Sequence, residues 1–133
     1  MKKKETLLRV CYITGAVLDG FMVFPMVIPQ LGLALFGVEN FIPGASYKYA
    51  MYLGATLMAG WTFLLLWANK KPIERKGILL LTVFPVMAGL FTSDIYAVTA
   101  KFITFPKMLP TMIVQVVLAV LFLYSYISSG KKG

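Results

Sequence analysis

Four long apolar stretches separated by short polar segments dominate the pattern of this chain. They cover residues 8–28, 49–68, 78–98 and 109–127. About 20 apolar residues suffice for an α-helix to cross a hydrocarbon core of about 30 Å. The pattern therefore predicts an all-α polytopic membrane protein, a four-transmembrane-helix bundle forming a single domain over residues 1–133.

The first apolar stretch continues beyond its predicted span. Pro25 and Pro29 each remove a backbone donor, so a kink or an end of the helix is expected there. A straight helix over residues 7–37 would be roughly 46 Å long, too long for the bilayer without strong tilt. Residues 31–37 are therefore predicted to form an interfacial or re-entrant segment.

Composition supports the assignment to the membrane class and offers an explanation for the positive net charge. The chain is 59% hydrophobic, with a mean hydropathy of +0.82, and its net charge is +8. In a membrane protein this charge is explained by loops on an anionic leaflet, so the lipid bilayer is the expected partner and nucleic acid is not.

The basic residues predict an orientation. With four spans, both termini lie on the side of segment 69–77, and the positive-inside rule makes that side cytoplasmic. We expect a prokaryotic cytoplasmic membrane, and a basic N-terminal segment that is retained because Asp19 interrupts its apolar run. Ten of the 13 Lys and Arg residues lie on the cytoplasmic side of this topology: Lys2, Lys3, Lys4, Arg9, Lys70, Lys71, Arg75, Lys76, Lys131 and Lys132.

Composition also limits the chemistry. The chain has no His, and Cys11 is its one cysteine. This excludes an intrachain disulfide, the usual His/Cys metal sites, and nucleophiles activated by His. No metal site is predicted, and the sequence leaves catalytic residues and any cofactor unknown.

Polar residues at similar depth in the four spans are the candidate site. Asp19 lies roughly 18 Å from the cytoplasmic end of the first span, and Asp94 roughly 24 Å along the third. Gln115 and Thr56 lie roughly 9 Å and 10 Å inward from the outer ends of their spans. Polar groups are costly in lipid and should face one another in a compact bundle. The predicted ligand-binding residues are Asp19, Asp94, Gln115, Thr56, Tyr52, Tyr12 and Tyr96.

Structural alternatives exist for two of these residues. Asp94 could pair with Lys101 near the outer surface, and Gln115 could join helices rather than bind a ligand. Asp19 has no basic residue nearby in its own span, which favours a functional role for this carboxylate.

Two segments resemble a known family. GAVLDGFMVFPMVIPQLGLALFG in the first span and YLGATLMAGWTFLLLWANKKPIERKGILL across the second hairpin resemble small four-helix membrane proteins of the DoxX-like group. The resemblance implies an accessory membrane subunit linked to a redox system, and it assigns no site residue. A second similarity is to four-helix sterol-binding and isomerase proteins, whose His and Glu pattern this chain lacks.

Three functions fit the sequence. The favoured one is a non-enzymatic protein whose intramembrane polar pocket binds a small amphipathic or lipid-like ligand, or a helix of a membrane partner or second copy. The second is a proton-coupled transporter of a small cationic substrate acting as an oligomer. The third is a membrane enzyme acting on a lipid or sterol-like substrate.

Overall fold

The computed structural model describes residues 2–130, and all regular structure in that range is helical. Four of its helices are long and apolar enough to cross a membrane, which confirms the predicted all-α four-helix membrane bundle. Lys131 and Lys132, two of the residues in the orientation argument, lie outside the described range. The helices are α1 (Lys2–Val27), α2 (Pro29–Leu35), α3 (Ala45–Asn69), α4 (Gly77–Thr99) and α5 (Phe105–Gly130).

Helix α1 ends because of Pro29, which follows it in the chain. Pro25 is accommodated inside the helix, whereas Ile28, which precedes Pro29, adopts an extended conformation with φ −107° and ψ 97°, as expected for a residue before proline. The short helix α2 then folds against the end of α1. A methyl group on Gly32 would lie 2.6 Å from the carbonyl oxygen of Pro25, so this approach requires glycine.

Small residues set the contact between α1 and α3, which run antiparallel. A methyl group on Gly15 would lie 3.1 Å from Cδ1 of Leu65, and one on Gly54 would meet the methyl group of Met26. Close approach through small residues is the usual means of helix association in lipid, where the hydrophobic effect gives little driving force.

Helix α5 closes the bundle by packing against both α1 and α4. We call the end that holds the start of α1 and the loop 70–76 the basic end, and the opposite end the far end. The buried apolar core lies towards the basic end. Its members are Leu8, Cys11, Tyr12, Ala16, Leu65, Ala68, Leu79, Val83, Met87 and Phe122.

Side chains of two spans fasten the loop at the basic end. The hydroxyl group of Tyr12, which is fully buried, donates a hydrogen bond of 3.1 Å to the carbonyl oxygen of Pro72. Arg75 donates to the carbonyl oxygen of Trp67 at 2.6 Å, and its guanidinium lies 3.5 Å from the centre of the Trp67 ring. These contacts fix the loop between α3 and α4.

Candidate functional site

A break in α4 lies beside a concave surface between this helix and α5. The helix is kinked in the turn Thr82–Met87, within which Phe84 has non-helical angles of φ −135° and ψ 109°. Pro85 has no N–H to donate to the carbonyl group of Leu81, which is a common cause of such a kink. The turn is held to α3 by Trp61, whose Nε1 donates a 3.0 Å hydrogen bond to Oγ1 of Thr82.

The kink leaves a groove between α4 and α5. Its volume is about 340 Å³, near the lower limit for small-molecule sites. It is open on one side, where Phe84 and Val116 are 69% and 50% exposed. It is lined by Val83, Phe84, Met87, Ala88, Phe91, Thr92, Gln115, Val116 and Ala119.

The groove changes from apolar to polar along its length. Val83 and Thr92, at its two ends on α4, are roughly 14 Å apart at the helical rise per residue. Near Val83 the walls are aliphatic and aromatic, whereas the polar lining residues Thr92 and Gln115 are on the side of the far end. Asp94 follows Thr92 and lies roughly 8 Å from the end of α4. An elongated molecule with one polar end matches this gradient.

Gln115, which lines the groove, and Asp94, which lies beside Gln115 outside the lining, form a polar pair towards the far end. The side chain of Gln115 makes a hydrogen-bonding contact with the Asp94 carboxyl group, so what remains without a partner is one oxygen of each side chain. Oδ2 of Asp94 and Oε1 of Gln115 are both buried, and neither has a hydrogen-bond partner among the described residues. Buried polar atoms are nearly always satisfied in native proteins. Two orphaned acceptors beside a groove therefore indicate that a donor is missing.

The alternative ion pair of Asp94 is not formed. The two salt bridges of residues 2–130 join Arg9 to Glu5 and Lys71 to Glu74. Lys101, the cation considered as its partner, is exposed. A carboxylate in a span without a cation is costly in lipid, and Lys101 does not compensate the charge of Asp94.

Asp19 lies apart from the groove. It is half-buried on the packed face of α1, and within the described range it forms no hydrogen bond and no ion pair. The neighbouring Gly20 faces α3, since a methyl group there would lie 3.5 Å from Cγ2 of Thr62. The hydroxyl group of Thr62 donates to the carbonyl oxygen of Met58 at 2.9 Å and so does not donate to Asp19.

The other residues expected at the site do not converge on one cavity. Tyr12 belongs to the core at the basic end, and its hydroxyl group donates a hydrogen bond to the carbonyl oxygen of Pro72. Thr56 is exposed and donates to the carbonyl oxygen of Tyr52 on its own helix at 2.9 Å. Tyr52 and Tyr96 are 45% and 73% exposed. Of the seven expected residues, the structure brings together Asp94 and Gln115.

Sequence reasoning missed most of the groove walls. Apolar lining residues such as Phe84, Phe91 and Val116 are typical of any membrane span. Their spacing in the sequence does not identify them as groove residues. Pro85 is the one local signal, because it predicts a kink and kinks open space between helices. The pairing of α4 with α5, which turns that space into a groove, has no sequence signal.

No protein-family model, curated protein or solved structure matches this chain.

Proposed function

We propose that this integral membrane protein binds a small lipid-like amphipathic molecule in the groove between α4 and α5. The apolar part of the ligand lies along Val83, Phe84 and Met87, and its polar end lies beside Gln115 and Asp94. The ligand belongs to the leaflet at the far end of the bundle and enters sideways through the open face of the groove.

The observation that carries this proposal is the pair of buried acceptors without donors. An apolar groove alone would be filled by the chains of ordinary bilayer lipids. Oε1 of Gln115, which lines the groove, and Oδ2 of the adjacent Asp94 lack partners, and leaving a buried acceptor unpaired costs about 1–3 kcal/mol. A ligand that satisfies them gains an advantage over hydrocarbon, which is the basis of selective binding.

Photo-crosslinking tests the groove directly. A dodecylamine that carries a diazirine on its chain is irradiated with the protein in phosphatidylcholine nanodiscs, and the labelled residues are identified by mass spectrometry. We expect labelling concentrated on α4 between residues 83 and 92 and on α5 between residues 115 and 119. The substitution Val116→Trp fills the groove and should lower this labelling at least tenfold.

A matched variant controls for the new tryptophan. Val117 is 60% exposed on the same helix and does not line the groove, so Val117→Trp should leave labelling unchanged. Labelling spread evenly over the exposed faces of all four long helices, and equal in both variants, would contradict the proposed function.

We further propose that the basic end faces the cytoplasm of a prokaryotic cell. Of the Lys and Arg residues between positions 2 and 130, only Lys48, Lys101 and Lys107 lie towards the far end. The K/R bias of short loops sets orientation in membranes.

Cysteine labelling tests this orientation. Cys11 is fully buried, so the parent protein should not react with a membrane-impermeant maleimide. We expect Gly44→Cys, at the far end, to be labelled in intact cells. Lys70→Cys, at the basic end, should be labelled only after permeabilisation. The reverse pattern would show the opposite orientation.

A further inference from the structure

We infer that the polar end of the ligand is a primary ammonium group, held by Asp94 and Gln115. This inference rests on the proposed function, because it names the class of molecule that the same groove selects. It is carried by the chemistry of the polar pair and by its place near the far end of the groove.

The polar pair needs donors. Oδ2 of Asp94 and Oε1 of Gln115 can only accept hydrogen bonds when Asp94 is ionised, and both are buried without a partner. The nearby hydroxyl group of Thr92 does not serve them, because it donates to the carbonyl oxygen of Ala88 at 2.9 Å. A primary ammonium group has three donors in a compact volume, enough to satisfy both oxygens at once.

The charge balance favours a cation over a neutral alcohol. Asp94 forms no ion pair with any residue between 2 and 130, and a single buried charge without a counter-ion is far more costly than a paired one. A hydroxyl group would supply one donor and leave this charge uncompensated. An ammonium group supplies donors and the counter-charge together, and hydrogen bonds between ionised partners are roughly twice as strong as neutral ones.

The depth of the pair agrees with a charged head group. Asp94 lies roughly 8 Å from the end of α4 at Thr99, so an ammonium group there remains close to the headgroup region. The chain of the ligand then runs towards the middle of the span along the apolar walls. The preferred ligand class is a long-chain primary amine.

Competition against the crosslinking probe tests the head group. Three competitors share a dodecyl chain: dodecylamine offers charge and donors, dodecanol offers one donor without charge, and dodecyltrimethylammonium offers charge without donors. Each competitor is quantified as the mole fraction in the nanodisc that halves groove labelling. We expect dodecylamine to compete at least tenfold better than either of the others.

Two substitutions and one control assign the selectivity to the polar pair. Asp94→Asn keeps the shape and removes the charge, so dodecylamine should lose its advantage over dodecanol. Gln115→Leu should weaken competition by both of them, because each loses an acceptor. Glu39→Gln makes the same change of charge in an exposed loop at the far end and should leave the order of the three competitors intact.

The outcomes separate the two proposals. Equal competition by all three amphiphiles, with Val116→Trp still blocking the groove, would overturn the ammonium assignment and leave the groove function standing. It is the result expected if a proton shared between Asp94 and Gln115 already satisfies both oxygens. Loss of selectivity in Asp19→Asn but not in Asp94→Asn would move the head group to α1 and overturn the inference. Absence of localised labelling would overturn both proposals.

Discussion

Gly15→Val is expected to lower the free energy of unfolding by about 3 kcal/mol, at the upper end of the cost of overpacking a well-packed core. Even a methyl group on this residue would lie 3.1 Å from Cδ1 of Leu65 and 3.2 Å from Cζ of Phe122. Both neighbours are buried, at 0% and 1% exposure, and cannot move into open space. Reversible unfolding in mixed micelles, followed by circular dichroism, measures the change.

Gly60→Val provides the matched control. Gly60 is also a helical glycine within a span, but no atom lies within 4 Å of a methyl group placed there. The intrinsic effect of valine on the helix is therefore shared, and only the packing differs. Equal destabilisation by the two substitutions would show that α1, α3 and α5 do not meet at Gly15.

Phe122→Ala is expected to cost about 3–5 kcal/mol, the range for removing a buried phenylalanine ring. The ring is 1% exposed and lies where α5 meets α1, so its removal leaves a cavity between helices. The same unfolding experiment measures the loss. Phe63→Ala removes a ring that is 71% exposed and should have a far smaller effect.

Combining Gly15→Val with Phe122→Ala tests the contact between these two positions. If the Phe122 ring is what the valine at position 15 meets, the cavity left by Phe122→Ala accommodates part of that valine. The double variant should then be more stable than the sum of the single changes predicts, since residues in contact are not additive. Strict additivity would argue against the contact between α1 and α5.

The helices could be predicted from sequence because the bilayer imposes a length on them. A span must contain about 20 apolar residues whatever its neighbours are, so hydropathy alone locates α1, α3, α4 and α5. The end of α1 was also predictable, since Pro29 restricts Ile28. These features depend on local sequence and on lipid, and not on how the helices pack.

The depth of polar residues was harder to predict, because it depends on the register between helices. Counting along the spans places Thr56 at the depth of Asp19. In the structure, Thr62 lies at that level, beside Gly20. The register follows from contacts between small residues of α1 and α3, and one turn of sliding changes a depth by about 5 Å.

The polar pair could be predicted in part. The cost of a carboxylate and an amide in lipid is visible in the sequence and correctly draws attention to Asp94 and Gln115. The same argument singles out Asp19, which lies on a different helix pair. Only the order of helices around the bundle, which hydropathy does not contain, distinguishes the two carboxylates. Tyr12 illustrates the same limit, since its partner Pro72 lies 60 residues away.

The uneven distribution of buried residues has a mechanical consequence for α4. Its segment Ala88–Thr99 contains no buried residue, whereas the part before Phe84 is anchored by Leu79 and Val83 in the core. Because Met87 is the last core residue of α4, the segment that follows it is held by fewer buried contacts than the segment before it, and such regions open at a lower free energy than the core. The groove of the proposed function is therefore bounded on one side by the less firmly packed segment of α4.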